Sequence, residues 1–297
     1  MTNQVNNYVR GIDANFVSDL NSGILSSFLS LSKGSDYSLE IRKDYVNIYY
    51  KGGNAIKITQ LTKGYSFYFD LKYCLSSNTA NKTVLSNLNS HSACDYLTNI
   101  KLISDEMDAW FKVNPNPERD FQHTLTKNIH SNFQIIDIEY AIRDLNIRNR
   151  NFINGTEEKE LFRLDMLASF DQEDQHKLII VENKFGDNLG GSSGVKQHLE
   201  DINYILNDAT LRNQLISSVN SVIENKISLG LINNIALFND DSTIEVLFIL
   251  ANHGKSISDL KNITNTVSTS FVKKAIIIPK GTVLKNYNID YSKAIIL

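Results

Sequence analysis

The sequence predicts an α+β protein in two parts, and three observations carry that expectation. Segments alternating apolar and polar residues are interspersed with segments of helical spacing along the 297 residues. Two of the chain's three prolines, Pro115 and Pro117, fall in one string, KVNPNPER. Beyond that string the elements run helix, three strands, helix, strand. A chain this long holds one large domain or two modest ones. The proline string sets the expected boundary: an N-terminal α+β accessory domain over 1–112 and a second domain over 113–297.

In the first part, residues 12–33 place Phe16, Leu20, Ile24 or Leu25, and Phe28 at helical spacing. The stretch YSLEIRKDYVNIYYKGGNAIKITQ, 37–60, reads as a hairpin turning at Lys51–Asn54. YSFYFDLKY, 65–73, follows as a third strand. The passage over 76–92, rich in Asn and Ser, reads as a connection before a helix over about 97–112. The tyrosines of the hairpin, Tyr45, Tyr49 and Tyr50, have the rings to stack bases, but alternating aromatics read first as strand packing.

In the second part, Asn116 suits a helix cap with Pro117 at the first helical position. Phe121, Leu125 and Ile129 make that helix's apolar stripe. Strands follow at FQIIDIEYAI (133–142), RLDMLASF (163–170) and KLIIVENKF (177–185). In the first of these, alternation puts Glu139 on one face with Asp137 and Arg143, which reads as a solvated face. Helices over 194–206 and 210–227, a strand over 244–252, a helix over 257–265 and a strand over 274–279 close the chain.

Composition removes several classes of function. A net charge of −3 gives no global attraction to nucleic acid, so such binding needs a local basic patch. Two cysteines, Cys74 and Cys94, are too few for a disulfide framework and fit a reducing cytoplasm. No apolar run approaches membrane-spanning length, and MTNQVNNYVR lacks a signal-peptide core. A soluble cytoplasmic protein with no membrane partner is therefore expected. His91 and Cys94 form an HxxC with no second pair, which argues against zinc. The loop GDNLGGSSG, 186–194, lacks the Gly-Lys-Ser/Thr ending of a nucleotide-binding loop. Its glycines suit either a phosphate contact or a plain connector.

The chemistry gathers in LFRLDMLASFDQEDQHKLIIVENKFGDN, 161–188. Two apolar runs joined by a polar turn predict a hairpin, yet Asp165 stands in the first run and Glu182 and Lys184 in the second. With the turn centred on Asp171–Gln175, Asp165 falls opposite Glu182 or within one residue of it. Opposed like charges repel at such range, and Glu182 and Lys184 share a face because side-chain direction repeats every second residue. Two acids and an ammonium on one spot call for a cation. Mg²⁺ takes oxygen ligands and typically one or two carboxylates; Asp165, Glu182 and the backbone carbonyl of Asn183 would hold it. Lys184 would then stand beside the attacking water and the charge building on a phosphate.

Asp165, a hairpin, then Glu182-Asn183-Lys184 resembles the signature of the PD-(D/E)xK nuclease superfamily, with Leu164 in place of the signature's proline. The resemblance implies a restriction-endonuclease-like core of helix, three antiparallel strands, helix and strand. It implies Mg²⁺- or Mn²⁺-dependent hydrolysis of DNA, with a role in restriction or antiphage defence. Asp165 and Glu182 would bind the metal and Lys184 would assist the water. Glu118 is the candidate extra acid from the first helix, and Gln197 the candidate glutamine on the helix after the third strand. The tyrosine often found four residues after that glutamine is replaced by Asp201. Arg143, Arg148, Arg150, Arg163 and Lys196 are the candidates for nucleic-acid contact, suited to phosphates more than to base edges. Double-strand cleavage by a single-site nuclease would call for a homodimer. A catalytically silent module binding DNA or protein, and a nuclease directed at RNA, are the competing expectations.

Overall fold

The computed structural model describes residues 9–34, 36–127, 132–143, 161–172, 175–190, 194–254, 256–284, 287 and 289–297. Among them the chain is mixed α+β, with nine helices and two sheets. No described helix is long and apolar enough to cross a membrane. The chain divides into two compact units. One comprises Arg10–Lys127 and Ser221–Asn234; the other comprises the described residues of Met1–Val9, Asn128–Asn220 and Ile235–Leu297.

The first unit holds α1 (Ala14–Asn21), α2 (Ser26–Ser32), β1 (Tyr37–Ile41), β2 (Tyr45–Tyr50), β3 (Gly53–Gln60), β4 (Tyr65–Tyr68), α3 (Thr79–Ser86), α4 (Ala93–Thr98), α5 (Ile100–Val113) and α6 (Pro117–Lys127). Its sheet is an antiparallel meander in the order β1-β2-β3-β4. Phe16, Leu20 and Phe28, read from their spacing, are fully buried, but on two short helices rather than one. The expected first strand is likewise two strands. Asp44 adopts a left-handed φ of 61° and Arg42 N donates to Tyr45 O at 2.9 Å, which closes a turn with no glycine in it. The run 65–73 ends its strand at Tyr68 and becomes a 3-10 turn over Leu71–Tyr73, and the polar passage contains α3. Tyr49 and Tyr50 are buried, and Tyr50 packs on Tyr37 with ring centroids 4.8 Å apart.

The expected boundary at 112/113 differs from the division at Lys127/Asn128. α6 belongs with the first unit, where the Arg119 guanidinium lies 3.9 Å over the Phe111 ring. Phe121 and Leu125 are buried as their stripe requires, and Ile129 lies outside the described residues. Residues 221–234 also join this unit. Lys226 Nζ meets Glu40 Oε2 at 2.7 Å with both side chains buried.

The second unit is built on β5 (Phe133–Arg143), β6 (Leu161–Gln172), β7 (Gln175–Phe185), β8 (Thr243–His253), β9 (Lys273–Pro279) and β10 (Ile295–Ile296), with α7 (Val195–Asn207), α8 (Ala209–Ser228, up to Asn220) and α9 (Ile257–Thr264). The sheet order is β10-β9-β8-β7-β6-β5. β5, β6 and β7 are antiparallel neighbours, β8 runs parallel to β7, and β9 parallel to β8. The two middle strands are covered on both faces: Leu178–Val181 and Val246–Ala251 have no exposed surface. That is why both read as continuous apolar runs without alternation.

Asp137 does not lie on the solvated face expected for it. Asp137 and Glu139 do share a parity on β5, but Asp137 is 1 % exposed while Glu139 is exposed. Asp137 stands opposite Leu167, which in turn faces Ile180, so it lies in the covered body of the sheet. Its Oδ1 accepts from Ile138 N at 2.9 Å. Glu139 lies nearer the strand's end and takes a left-handed φ of 48°.

Leu189 and Gly190, after β7, lie against the start of α7. Val195 N donates to Leu189 O at 3.0 Å, and a Cβ on Gly194 would fall 2.6 Å from the Gly190 carbonyl carbon and 2.7 Å from Leu189 O. Both neighbours are backbone and cannot swing aside. Gly194→Ala is expected to cost about 1–3 kcal/mol, the range for overpacking, measured as a lower urea midpoint at unchanged slope.

Candidate active site

The site forms where two strands part. β6 and β7 stay paired from Gln172↔Gln175 to Met166↔Val181, and there their ladder stops. β6 continues alone against β5, through Leu164↔Tyr140 to Leu161↔Arg143. In the fork, Asp165 sits one step past the last pair, so its partner by register is Glu182. The Asn183 amide, released from the ladder, donates instead to Asp165 Oδ2 at 2.8 Å. A side-chain oxygen thus replaces a strand carbonyl, which fixes Asp165 beside the end of β7.

Glu182 and Lys184 reach the same spot. Lys184 Nζ lies 3.8 Å from Asp165 Oδ2 and 3.9 Å from Glu182 Oε2. The Glu182 side chain is fully buried, that of Lys184 nearly so, and that of Asp165 is 28 % exposed. Phe248 and Leu250 of β8, both fully buried, stand beside Glu182 and Lys184 in the parallel ladder. Burial, and then the charge of Asp165, push the Glu182 carboxyl well above its ordinary range, with Lys184 offsetting part of the shift.

A residue not singled out from the sequence completes the group. His198 Nδ1 lies 3.0 Å from Glu182 Oε2, with its side chain 15 % exposed. The contact lies off the hydrogen-bond axis, and neither Glu182 oxygen accepts an aligned hydrogen bond among the described residues. The sequence did carry a signal. His198 is three residues after Val195 and four before Ile202, on the stripe of α7 that buries Val195, Leu199, Ile202 and Ile205.

The other expected residues fall elsewhere. Gln197 is half-buried on α7 and its Nε2 donates to Asp201 Oδ1 at 2.9 Å. Glu118 is exposed in the first turn of α6, in the other compact unit. Arg163, two residues before Asp165, is exposed; Lys196 is exposed and 3.9 Å from Glu200. The backbone of Arg143 pairs with Leu161, whereas Arg148 and Arg150 lie outside the described residues. By register, Glu139 is the β5 residue across from Asp165, flanked by the pairs Ile138↔Met166 and Tyr140↔Leu164. His91 Nδ1 faces Tyr65 O at 3.4 Å, and Cys94 Sγ is 3.8 Å from Thr98 Oγ1.

A divalent cation suits this donor set. Two carboxylates and one ammonium leave one formal negative charge in a largely buried spot, and Glu182 keeps oxygens without aligned donors. Among the described residues no group of three or more His, Cys, Asp and Glu side chains is arranged to hold a metal ion. An ion here would rest on the two carboxylates plus backbone, water or substrate oxygens. Asn183, whose carbonyl is the expected third oxygen, lies between Glu182 and Lys184, and its own amide fixes Asp165.

Compared with known proteins, the chain matches no family model, no curated protein and no solved structure.

Proposed function

We propose that the protein is a Mg²⁺- or Mn²⁺-dependent nuclease that hydrolyses phosphodiester bonds in DNA. The observation that carries this reading is the meeting of Asp165, Glu182 and Lys184 in the fork, with the ammonium within 4 Å of both acids. The likeness to the PD-(D/E)xK superfamily gains support from the topology: three antiparallel strands, then helices, then a strand parallel to the third. A role in restriction or antiphage defence rests on that likeness alone.

Asp165 and Glu182 would hold the cation, and the Asn183 carbonyl would add an oxygen. Bound there, a divalent cation supplies the Lewis acidity that polarises a phosphoryl oxygen and acidifies water. Lys184, held between the two acids, orients the attacking water and offsets the negative charge that grows on the phosphate. The buried Phe248 and Leu250 beside them lower the local dielectric, so each of these charges acts more strongly than in bulk water. Arg163 and Lys196, both exposed, are suited to phosphates of the bound strand.

The test is incubation with labelled single- and double-stranded DNA and RNA in Mg²⁺ or Mn²⁺. Wild type is expected to cut DNA. Lys184→Ala should lower the rate by about 10²–10³-fold, as when one charge-stabilising donor is lost, with Mn²⁺ binding retained. Asp165→Ala should lose both. Cutting confined to RNA would change the substrate class, and wild type inert on all four substrates would leave a binding module.

A further inference from the structure

We infer that His198 is a positioning residue for Glu182, the carboxylate that would bind the metal: its Nδ1–H holds Oε2 and so fixes the plane of the carboxylate. The inference rests on the reading above and assigns to α7 a part that the sequence resemblance gave to Gln197.

Three observations carry it. First, the distance is that of a hydrogen bond, 3.0 Å, to a carboxylate oxygen with no exposed surface. The contact is tilted, as in many active sites without ligand, where such bonds align only in the loaded state. Second, His198 comes from the buried stripe of α7, between Val195 and Ile202, so backbone packing sets where the ring lies. Gln197, one residue earlier and about 100° around the helix, is engaged with Asp201. Third, Glu182 is fully buried and neither of its oxygens has an aligned hydrogen bond among the described residues, so the ring 3.0 Å from Oε2 and the Asp165 backbone amide are the donors beside it. A carboxylate held at one oxygen has a fixed plane. Carboxylate ligands are commonly held this way, and losing such a partner costs about 10–100-fold in metal affinity or activity.

The atoms of the ring give a test that packing alone would not pass. Asparagine carries an amide nitrogen where histidine has Nδ1, whereas glutamine carries one where histidine has Nε2. Mn²⁺ affinity is measured by titration calorimetry on the full chain, with melting curves in EDTA to establish that each variant folds. His198→Ala should weaken Mn²⁺ by about 10–100-fold; His198→Asn should recover most of the loss and His198→Gln should not. Should the alanine variant fail to fold, the asparagine and glutamine variants decide. Equal affinity in wild type and all three variants, or asparagine as weak as glutamine, overturns the inference. In either case Glu182→Gln and Asp165→Asn still losing Mn²⁺ would leave the nuclease reading standing. No Mn²⁺ binding by wild type overturns both.

Discussion

Replacing Glu182 with glutamine is expected to abolish metal-dependent cleavage while making the metal-free protein more stable. The loss of rate should be on the order of 10³-fold or more, since a cation's Lewis acidity is worth several kcal/mol at the transition state. The gain in stability comes from the other side of the same residue. A fully buried carboxylate beside Asp165, with no aligned hydrogen bond, opposes folding whenever it is ionised. Stabilising substitutions commonly gain about 0.5–2 kcal/mol each, with lost function as the recurrent cost at destabilised active sites. The pH dependence follows from the direction of the shift. The folded state holds this proton more tightly than the unfolded chain does, so its contribution to stability is complete below the ordinary value of 4.5. It is lost as pH rises through the folded value. Melting of the wild type in EDTA, followed from about pH 4.5 to about pH 8, should show this decline, and Glu182→Gln should not. Adding Mn²⁺ should restore wild type alone.

Glu245→Ala is expected to destabilise the second unit by about 3–5 kcal/mol, the cost of stripping the partner from a buried charge. Glu245, 3 % exposed on β8, receives Lys177 Nζ from β7 at 2.6 Å, Lys274 Nζ from β9 at 3.0 Å and the hydroxyl of Tyr291. Tyr291 also stacks with Phe133, centroids 5.7 Å apart, and packs on Phe170 at 4.5 Å. The cluster thus ties three strands and the C-terminal segment on one face of the sheet. Burial raises the Glu245 carboxyl, but hydrogen bonds from Lys177, Tyr291 and Lys274 outweigh it and the net shift is downward. The sign is opposite to that of Glu182. This stabilisation is present above the unfolded pKa and is lost as pH falls through the folded one. Urea unfolding at neutral pH measures the loss. The turnover of the folded fraction should be unchanged, because Lys177, Lys274 and Tyr291, which Glu245 holds, are not residues of the fork.

The fork was legible because strand geometry leaves few choices. Once Asp171–Gln175 is taken as the turn, Asp165 falls opposite Glu182 or within one residue of it, and the ladder ending at Met166↔Val181 fixes the choice on Glu182. Features set by exceptions to the period were not legible. The turn at Arg42–Asp44 contains no glycine, and Asp44 takes the left-handed conformation without that cue. The β5 ladder shifts register between Ile135 and Asp137, so counting along the strand alone does not locate Asp137 against the covered part of the sheet. Coverage of a strand face is a tertiary property, and alternation reports only which residues share that face.

The helices divide in the same way. The stripe of α7 was readable through Val195, Leu199 and Ile202, and the same arithmetic reaches His198, which the apolar pattern hides because histidine is polar. Gln197 drew attention through resemblance, and its recorded partner is Asp201. The membership of α6 and of residues 221–234 in the first unit depends on contacts far apart in sequence, such as Lys226 with Glu40. No local signal marks them. The Glu245 cluster is of this kind too: its charges lie in three strands and a terminal turn, and only the sheet order brings them together.

The most direct test of the shared cation is an anomalous difference map from crystals soaked in Mn²⁺. The account predicts a peak in the fork, within bonding distance of one carboxylate oxygen from Asp165 and one from Glu182, and its disappearance in Glu182→Gln. A soaked crystal with full Mn²⁺ peaks elsewhere and none between those two residues would contradict it.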